Sequence, residues 1–250
     1  MPVKGPEEEE AGGGEQNAES AETEISPRSW SDVHPAAKPF VAIWRTIRDW
    51  WRELLVLTVT CFGWLVLSVT IIGWPPATTA LYAMARATVL HEHPDLQLFV
   101  TSLRAYFGKS WRLGAIGLLG TLLWFLDLSL YLAMAGELGG LAWIGAVLIL
   151  YIGVVWVQTL FFAWPMLVCR DDLAVRHLLR NGAILAMRYP VHNLIMTLFG
   201  GFLLWLTVFY APPLIALATP ALLALLGLHN LYLLAPELAP DDIEVLHVVG

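Results

Sequence analysis

Polar side chains inside apolar runs are where chemistry could reside, because each costs free energy in a bilayer unless it is paired or used. Two ionisable residues, Arg86 and Asp127, fall in separate apolar segments. Counted from the outer ends of their helices at ~1.5 Å per residue, Asp127 lies about 10 Å deep and Arg86 about 15 Å deep. A long arginine side chain covers that difference, so an intramembrane Arg86–Asp127 ion pair is the first candidate. Two alternatives stand beside it. Arg86 reaches the headgroups alone while Asp127 bonds a nearby hydroxyl or carries a proton, or Asp127 serves a substrate or proton path.

A second set shares another depth. Gln158, His192, Asn193, His229 and Asn230 all fall about 24 to 30 Å from the outer ends of their helices, near the cytosolic side. If their faces converge, they form an inner-leaflet polar layer lining a vestibule; if not, each meets headgroup water. His91 and His93 flank Glu92, but residues two apart do not share a helix face, so a zinc site is disfavoured. Cys61 and Cys169 belong to no metal or redox spacing and read as free thiols. HExxH, GxSxG and glycine-rich phosphate loops are missing from the sequence, and no cofactor or catalytic residue is implied.

The elements that must position these residues are membrane helices. The chain is 58% hydrophobic and 14% charged, with mean hydropathy +0.65, and the excess sits in runs almost free of charge. Five runs reach bilayer length: Leu54–Gly73, Leu113–Met134, Leu141–Val168, Val191–Tyr210 and Pro213–Leu234. Before them, the Glu7–Glu10 tract lies among Gly, Ala and Ser that cannot build a core. The expected organisation is an acidic disordered tail at 1–36, a helical membrane domain at 37–236, and a short tail at 237–250.

Lys and Arg mark the cytoplasmic side. They cluster at Lys38–Arg52, at Arg104–Arg112 and at Arg170–Arg188. Five crossings would put the first two clusters on opposite faces. The conflict disappears if Pro76–Leu90 returns as a short span or re-entrant helix after the Trp74-Pro75-Pro76 turn. The expected fold is therefore all-α: a polytopic bundle of five to six membrane segments in three hairpins, with both termini cytoplasmic.

A basic amphipathic helix precedes each hairpin. The first carries Phe40, Ile43, Trp44, Ile47, Trp50, Trp51 and Leu54 opposite Arg45, Arg48 and Arg52. The second carries Phe99, Val100, Leu103, Tyr106 and Phe107 beside Arg104, Lys109 and Arg112; the third starts at an Asp171 or Asp172 N-cap. Such helices lie on anionic inner-leaflet lipid rather than on nucleic acid. Trp44, Trp50, Trp51, Trp111 and Trp164 are expected at the inner interface, Trp74 and Trp143 at the outer one. Gly114, Gly117, Gly120 and the pair Gly200-Gly201 read as close-packing surfaces.

Three stretches carry a resemblance: Pro75-Pro76-Ala77-Thr78-Thr79-Ala80-Leu81-Tyr82, Leu126-Asp127-Leu128, and Trp164-Pro165-Met166-Leu167-Val168-Cys169-Arg170-Asp171. In order and spacing the chain resembles the YesL-like family of bacterial integral membrane proteins, defined by a domain of unknown function. The resemblance runs from about Phe40 to Leu234. The chain departs from it in the Pro75-Pro76 pair, where Gly-Ala is commoner, and in its acidic N-terminus. The family supplies no catalytic residues. Its genes often lie beside carbohydrate uptake systems, which implies a role near sugar transport.

Three functions follow as expectations. The first is a non-enzymatic accessory or scaffold bound to a membrane transport complex. The second is a small-solute transporter or channel with Asp127 in its pathway, which needs a polar route that the long runs scarcely offer. The third is an enzyme acting on lipid, for which no paired acid and base stand out.

Overall fold

Backbone groups in hydrocarbon find no water, so an uncharged run satisfies them within a helix. The computed structural model describes residues 37–134, 139–210, 213 and 218–238, and these are helical or form the turns between helices. The expected acidic tail at 1–36, residues 239–250 of the expected C-terminal tail, and the segments 135–138, 211–212 and 214–217 lie outside the described residues.

The helices are α1 (Lys38–Arg52), α2 (Leu54–Val69), α3 (Trp74–Val89), α4 (Leu96–Ala105), α5 (Phe107–Ala133), α6 (Gly140–Cys169), α7 (Val175–Arg188), α8 (Pro190–Phe209) and α9 (Thr219–Leu234), before a closing 3-10 turn. Three of them are long and apolar enough to cross a membrane: α5, α6 over Trp143–Cys169, and α8. The pair α1–α2 adds a fourth if it is counted as one span, but it is bent by 95° between Arg52 and Leu54.

Several boundaries differ from expectation for local reasons. The run from Leu54 stops at Val69 because the Thr70 hydroxyl donates back to the Leu67 carbonyl and accepts from Gly73 N–H. Lys109 and Arg112 belong to α5 itself, because the chain breaks at Tyr106. Asp95 caps α4, its carboxylate accepting from Gln97 N–H. The third basic helix starts at Val175, not at an Asp171 or Asp172 cap: Asp172 is drawn back to Arg170 at 3.3 Å, and Ala174 precedes the helix without a side-chain cap.

The core is built from the two short helices α3 and α9. Thirteen of the sixteen residues of α3 are buried, as are fourteen of the sixteen of α9. Around them pack α1, α2, α6 and, on α3, α4 and the first turns of α5. Helix α3 runs antiparallel to the start of α5: an added Cβ on Gly114 would meet Pro75 at 2.9 Å, and the Thr79 and Ser110 hydroxyls bond at 2.8 Å. Beyond Gly117, α5 pairs with α6 by fitting aromatic rings over glycines, Trp156 over Gly120, Trp124 over Gly153 and Tyr131 over Gly145.

Helix α1 is turned in the opposite sense to a water-soluble amphipathic helix. Its buried face is Pro39, Ala42, Thr46 and Asp49, while Phe40, Trp44 and Trp51 keep 66%, 68% and 72% of their surface. An aromatic stripe facing out, with Arg48 and Arg52 beside it, is the pattern of a helix on a lipid surface. Two tryptophan assignments do not hold together. The rings of Trp74 and Trp164 meet edge to face at 6.4 Å, so they cannot mark opposite interfaces. The cause is the short α2–α3 turn, where the Trp111 indole donates to the Ile72 carbonyl at 3.0 Å, near the basic start of α5.

Candidate functional site

The five side chains Gln158, His192, Asn193, His229 and Asn230 are all buried. They engage one another and their neighbours across five helices. Gln158 of α6 donates its amide to the Asn193 carbonyl at 3.1 Å and to the Thr197 hydroxyl. The Asn193 amide spans to α7, donating to the carbonyls of Leu185 and Ala186 at 3.1 and 2.9 Å. His192 and Asn230 join α8 to α9 through Nε2 and Oδ1. On the next position of α9, His229 Nε2 meets Asp49 Oδ2 of α1 at 3.1 Å, and Arg48 Nε holds the other carboxylate oxygen at 3.0 Å.

Asp49 is the residue that sequence reading missed. It falls on a helix read by its Arg and Trp residues, yet Ala42, Thr46 and Asp49 form the small polar stripe that α1 presents to α9. Burial opposes its charge. The hydrogen bond and charge of His229, then those of Arg48, outweigh burial and hold the carboxyl below its ordinary range. Lys38 anchors the other end of α1 by donating to the Leu233 carbonyl at 2.9 Å.

Beside this layer lies a cavity of about 450 Å³ among α2, α3, α6, α8 and α9. Its wall is mostly aromatic and aliphatic, including Trp64, Tyr82, Phe161, Met196 and Leu223, with Gln158 and Thr197 in it. Gly200 and Gly201 also line it rather than packing helix on helix. A Cβ at Gly200 would meet only Leu223, at 3.6 Å, and one at Gly201 would meet nothing within 4 Å.

Arg86 and Asp127 are not brought together. Among the described residues no ion pair joins them. Arg86 sits in the last turn of α3 and donates to the Val168 carbonyl at 3.5 Å, facing Tyr232 as well. Asp127 is exposed on α5. Because α3 begins beside Gly114, Asp127 lies thirteen residues farther along α5, about 20 Å beyond its reach. His91 turns its Nδ1 to the Val89 carbonyl at 3.0 Å, and no group of three or more His, Cys, Asp or Glu gathers among the described residues. Cys61 and Cys169 are free thiols, Cys169 lying 3.5 Å from the Tyr232 hydroxyl.

Residues 50–128 match the model of a family described as "Protein of unknown function, DUF624". That stretch takes in α2, α3, α4 and most of α5, with Arg86 and Asp127, and stops before α6. Neither the comparison with curated proteins nor that with solved structures returns a match.

Proposed function

We propose that the chain is a multi-pass protein of the bacterial cell membrane, YesL-like in kind, acting as a non-enzymatic accessory or scaffold for a membrane transport complex. A carbohydrate importer is the partner implied by the resemblance. The observation that carries this reading is the far half of the α5–α6 hairpin. Its glycine–aromatic contacts close the two helices on each other, while Phe125 and Leu148 keep 60% and 59% of their surface. An apolar surface of this kind suits lipid on one side and a second membrane protein on the other.

In this reading the six membrane segments form three hairpins with cytoplasmic termini: α2–α3 as a re-entrant pair, α5–α6 and α8–α9 as crossing pairs. The bases of α1, α4 and α7 attract anionic inner-leaflet lipid. A transport route through Asp127 has less support, because that carboxylate stands on the exposed flank of α5 and is not part of the cavity wall.

The test is photo-crosslinking from Phe125 and Leu148 in native membranes, followed by purification in mild detergent. A stoichiometric membrane-protein adduct from these positions, absent from a probe at buried Leu225, is the expected result. Adducts with lipid alone from both positions overturn the scaffold reading.

A further inference from the structure

The polar groups in the wall of the cavity among α2, α3, α6, α8 and α9 are engaged by the protein itself. The Trp64 indole donates to the Thr78 hydroxyl at 3.1 Å, and Thr78 donates to the Trp74 carbonyl at 2.9 Å. At one end Thr197 donates to the Asn193 carbonyl at 2.8 Å, and the Gln158 amide donates to the same carbonyl. At the other end Thr207 donates to the Leu203 carbonyl at 2.6 Å and meets the Thr219 hydroxyl at 2.8 Å. The Gln158 Oε1 is buried and presents no surface to a ligand. Tyr82 lays its hydroxyl over Gly227 of α9, 3.1 Å from where a Cβ would stand. Among the described residues no charged side chain belongs to the wall.

Such a wall selects hydrocarbon. A trapped water needs roughly two to four polar partners, which an engaged wall does not supply. Left empty, a space of about 450 Å³ forfeits dispersion contacts on every side. Val157, Leu204 and Val208 belong to the wall yet keep 44%, 49% and 54% of their surface, so the side between α6 and α8 is open. Both helices are long and apolar enough to cross a membrane, and in a membrane that opening faces acyl chains. The cavity follows α8 from Met196 to Val208, about 18 Å at ~1.5 Å per residue. One leaflet of hydrocarbon is about 15 Å deep, half of the ~30 Å core, so the length suits one chain.

We propose that this cavity is a lipid site that takes one acyl chain of a membrane phospholipid, inserted sideways between α6 and α8 with its headgroup left outside. The chain lies along α8 and touches Gly200, Leu81 and Ala224. Gly200 and Gly201 are the sequence signature of the site. Glycine inside a helix costs about 1 kcal/mol against alanine, and here it is the missing side chains that leave the room. A Cβ at Gly200 would meet only Leu223, at 3.6 Å, and one at Gly201 nothing within 4 Å. Recognition is by shape and hydrocarbon alone, so the headgroup is not selected.

The probe is phosphatidylethanolamine with a diazirine midway along one acyl chain, in bilayer nanodiscs that hold the full chain. After illumination the adducts are mapped by peptide mass spectrometry. Adducts are expected at Leu81 and Ala224, each only 2% exposed, as well as at Leu148 on the outer surface of α6, 59% exposed. Gly200→Phe, whose ring occupies the cavity, should lose the adducts at Leu81 and Ala224 and keep those at Leu148. If Gly200→Phe fails to fold, the map of the unaltered chain decides. Adducts at Leu148 with none at Leu81 or Ala224 overturn the proposal, because the chain then stays outside. Undiminished adducts at Leu81 and Ala224 in Gly200→Phe overturn it as well. A free fatty acid carrying the same diazirine is the second arm, and labelling of the two buried residues by the acid but not by the phospholipid overturns the phospholipid as occupant.

Discussion

His229 Nε2 stands 3.1 Å from Asp49 Oδ2, and the two side chains keep only 2% and 1% of their surface. This contact fastens α1 to α9. It matters because Phe40, Trp44 and Trp51, three of the largest residues of α1, face away from the protein. Removing one member of a buried pair leaves the other unpaired and costs about 3 kcal/mol or more. Asp49→Ala is therefore expected to lower the unfolding midpoint sharply in detergent. The double replacement Asp49→Leu, His229→Leu should recover most of the loss, because no buried charge remains. A double variant as unstable as the sum of its singles would show that the pair is not the cause.

The same carboxyl makes stability depend on pH in a defined direction. Asp49 titrates below its ordinary value of about 4, so on acidification the unfolded chain takes up the proton first. Its contribution is complete above about 4 and is lost as the pH falls through the lowered folded value. The charges around it are Arg48 and Arg45 on α1 and His229 on α9. The midpoint difference between the unaltered chain and Asp49→Asn should shrink as the pH falls below about 4. A difference that stays level through pH 3 counts against the carboxylate.

Helix identity was legible from the residues; depth was not. The runs Leu141–Val168 and Val191–Tyr210 correspond to α6 and α8 within a residue or so, because length and lack of charge suffice to specify a long apolar helix. Pro76–Leu90 overlaps α3, which starts two residues earlier, and Pro213–Leu234 contains α9, but nothing in their composition says that these helices are buried on nearly every side. Arg86 and Asp127 were matched by counting depth from the ends of segments, and that count failed because α3 packs on the base of α5 rather than along it. The layer at Gln158, His192, Asn193, His229 and Asn230 was counted the same way; of these side chains His192 and Asn230 meet each other, while Gln158 reaches the Asn193 backbone carbonyl and His229 meets Asp49. The fifth helix that it engages, α1, stayed hidden because an amphipathic helix is read by its large residues. The inward face is the small polar one at Ala42, Thr46 and Asp49.

Gly182 sits where α7 crosses α6, and a Cβ there would lie 2.7 Å from the Thr159 carbonyl oxygen. That neighbour is backbone and cannot swing aside, so the helices must separate. Gly182→Ala is expected to cost about 1–3 kcal/mol. Gly201→Ala, which meets nothing within 4 Å, should be neutral or gain up to about 1 kcal/mol from helix propensity. Comparable losses from both substitutions in thermal unfolding would mean that α6 and α7 are not packed this closely.

Arg86 and Asp127 provide a test of independence. Arg86→Met removes the donor to the Val168 carbonyl at the end of α6 and should cost about 2 kcal/mol. Asp127→Asn changes an exposed residue and should stay within about 0.5 kcal/mol. The double variant is expected to equal the sum of the two within about 0.5 kcal/mol. A larger coupling energy would restore the ion pair that the packing of α3 rules out.

The α2–α3 turn allows the membrane arrangement itself to be tested. Trp111 donates to the Ile72 carbonyl from the fifth residue of α5, between Lys109 and Arg112. In the proposed arrangement those cations lie on the cytoplasmic side. In that arrangement a turn held at their level, about 6 Å along α5 from Phe107, does not cross the hydrocarbon. Ile72 is itself 63% exposed, so a cysteine placed there lacks steric shielding by the rest of the fold. In a background with Cys61 and Cys169 replaced, Ile72→Cys in intact cells should resist an impermeant maleimide added from outside. Glu92→Cys, in the loop before α4, should behave alike and react only after the membrane is opened. Reaction of Ile72→Cys from outside while Glu92→Cys stays protected would make α2 and α3 two full crossings. Reaction of both from outside would place the cationic clusters on opposite faces and end the arrangement of three hairpins.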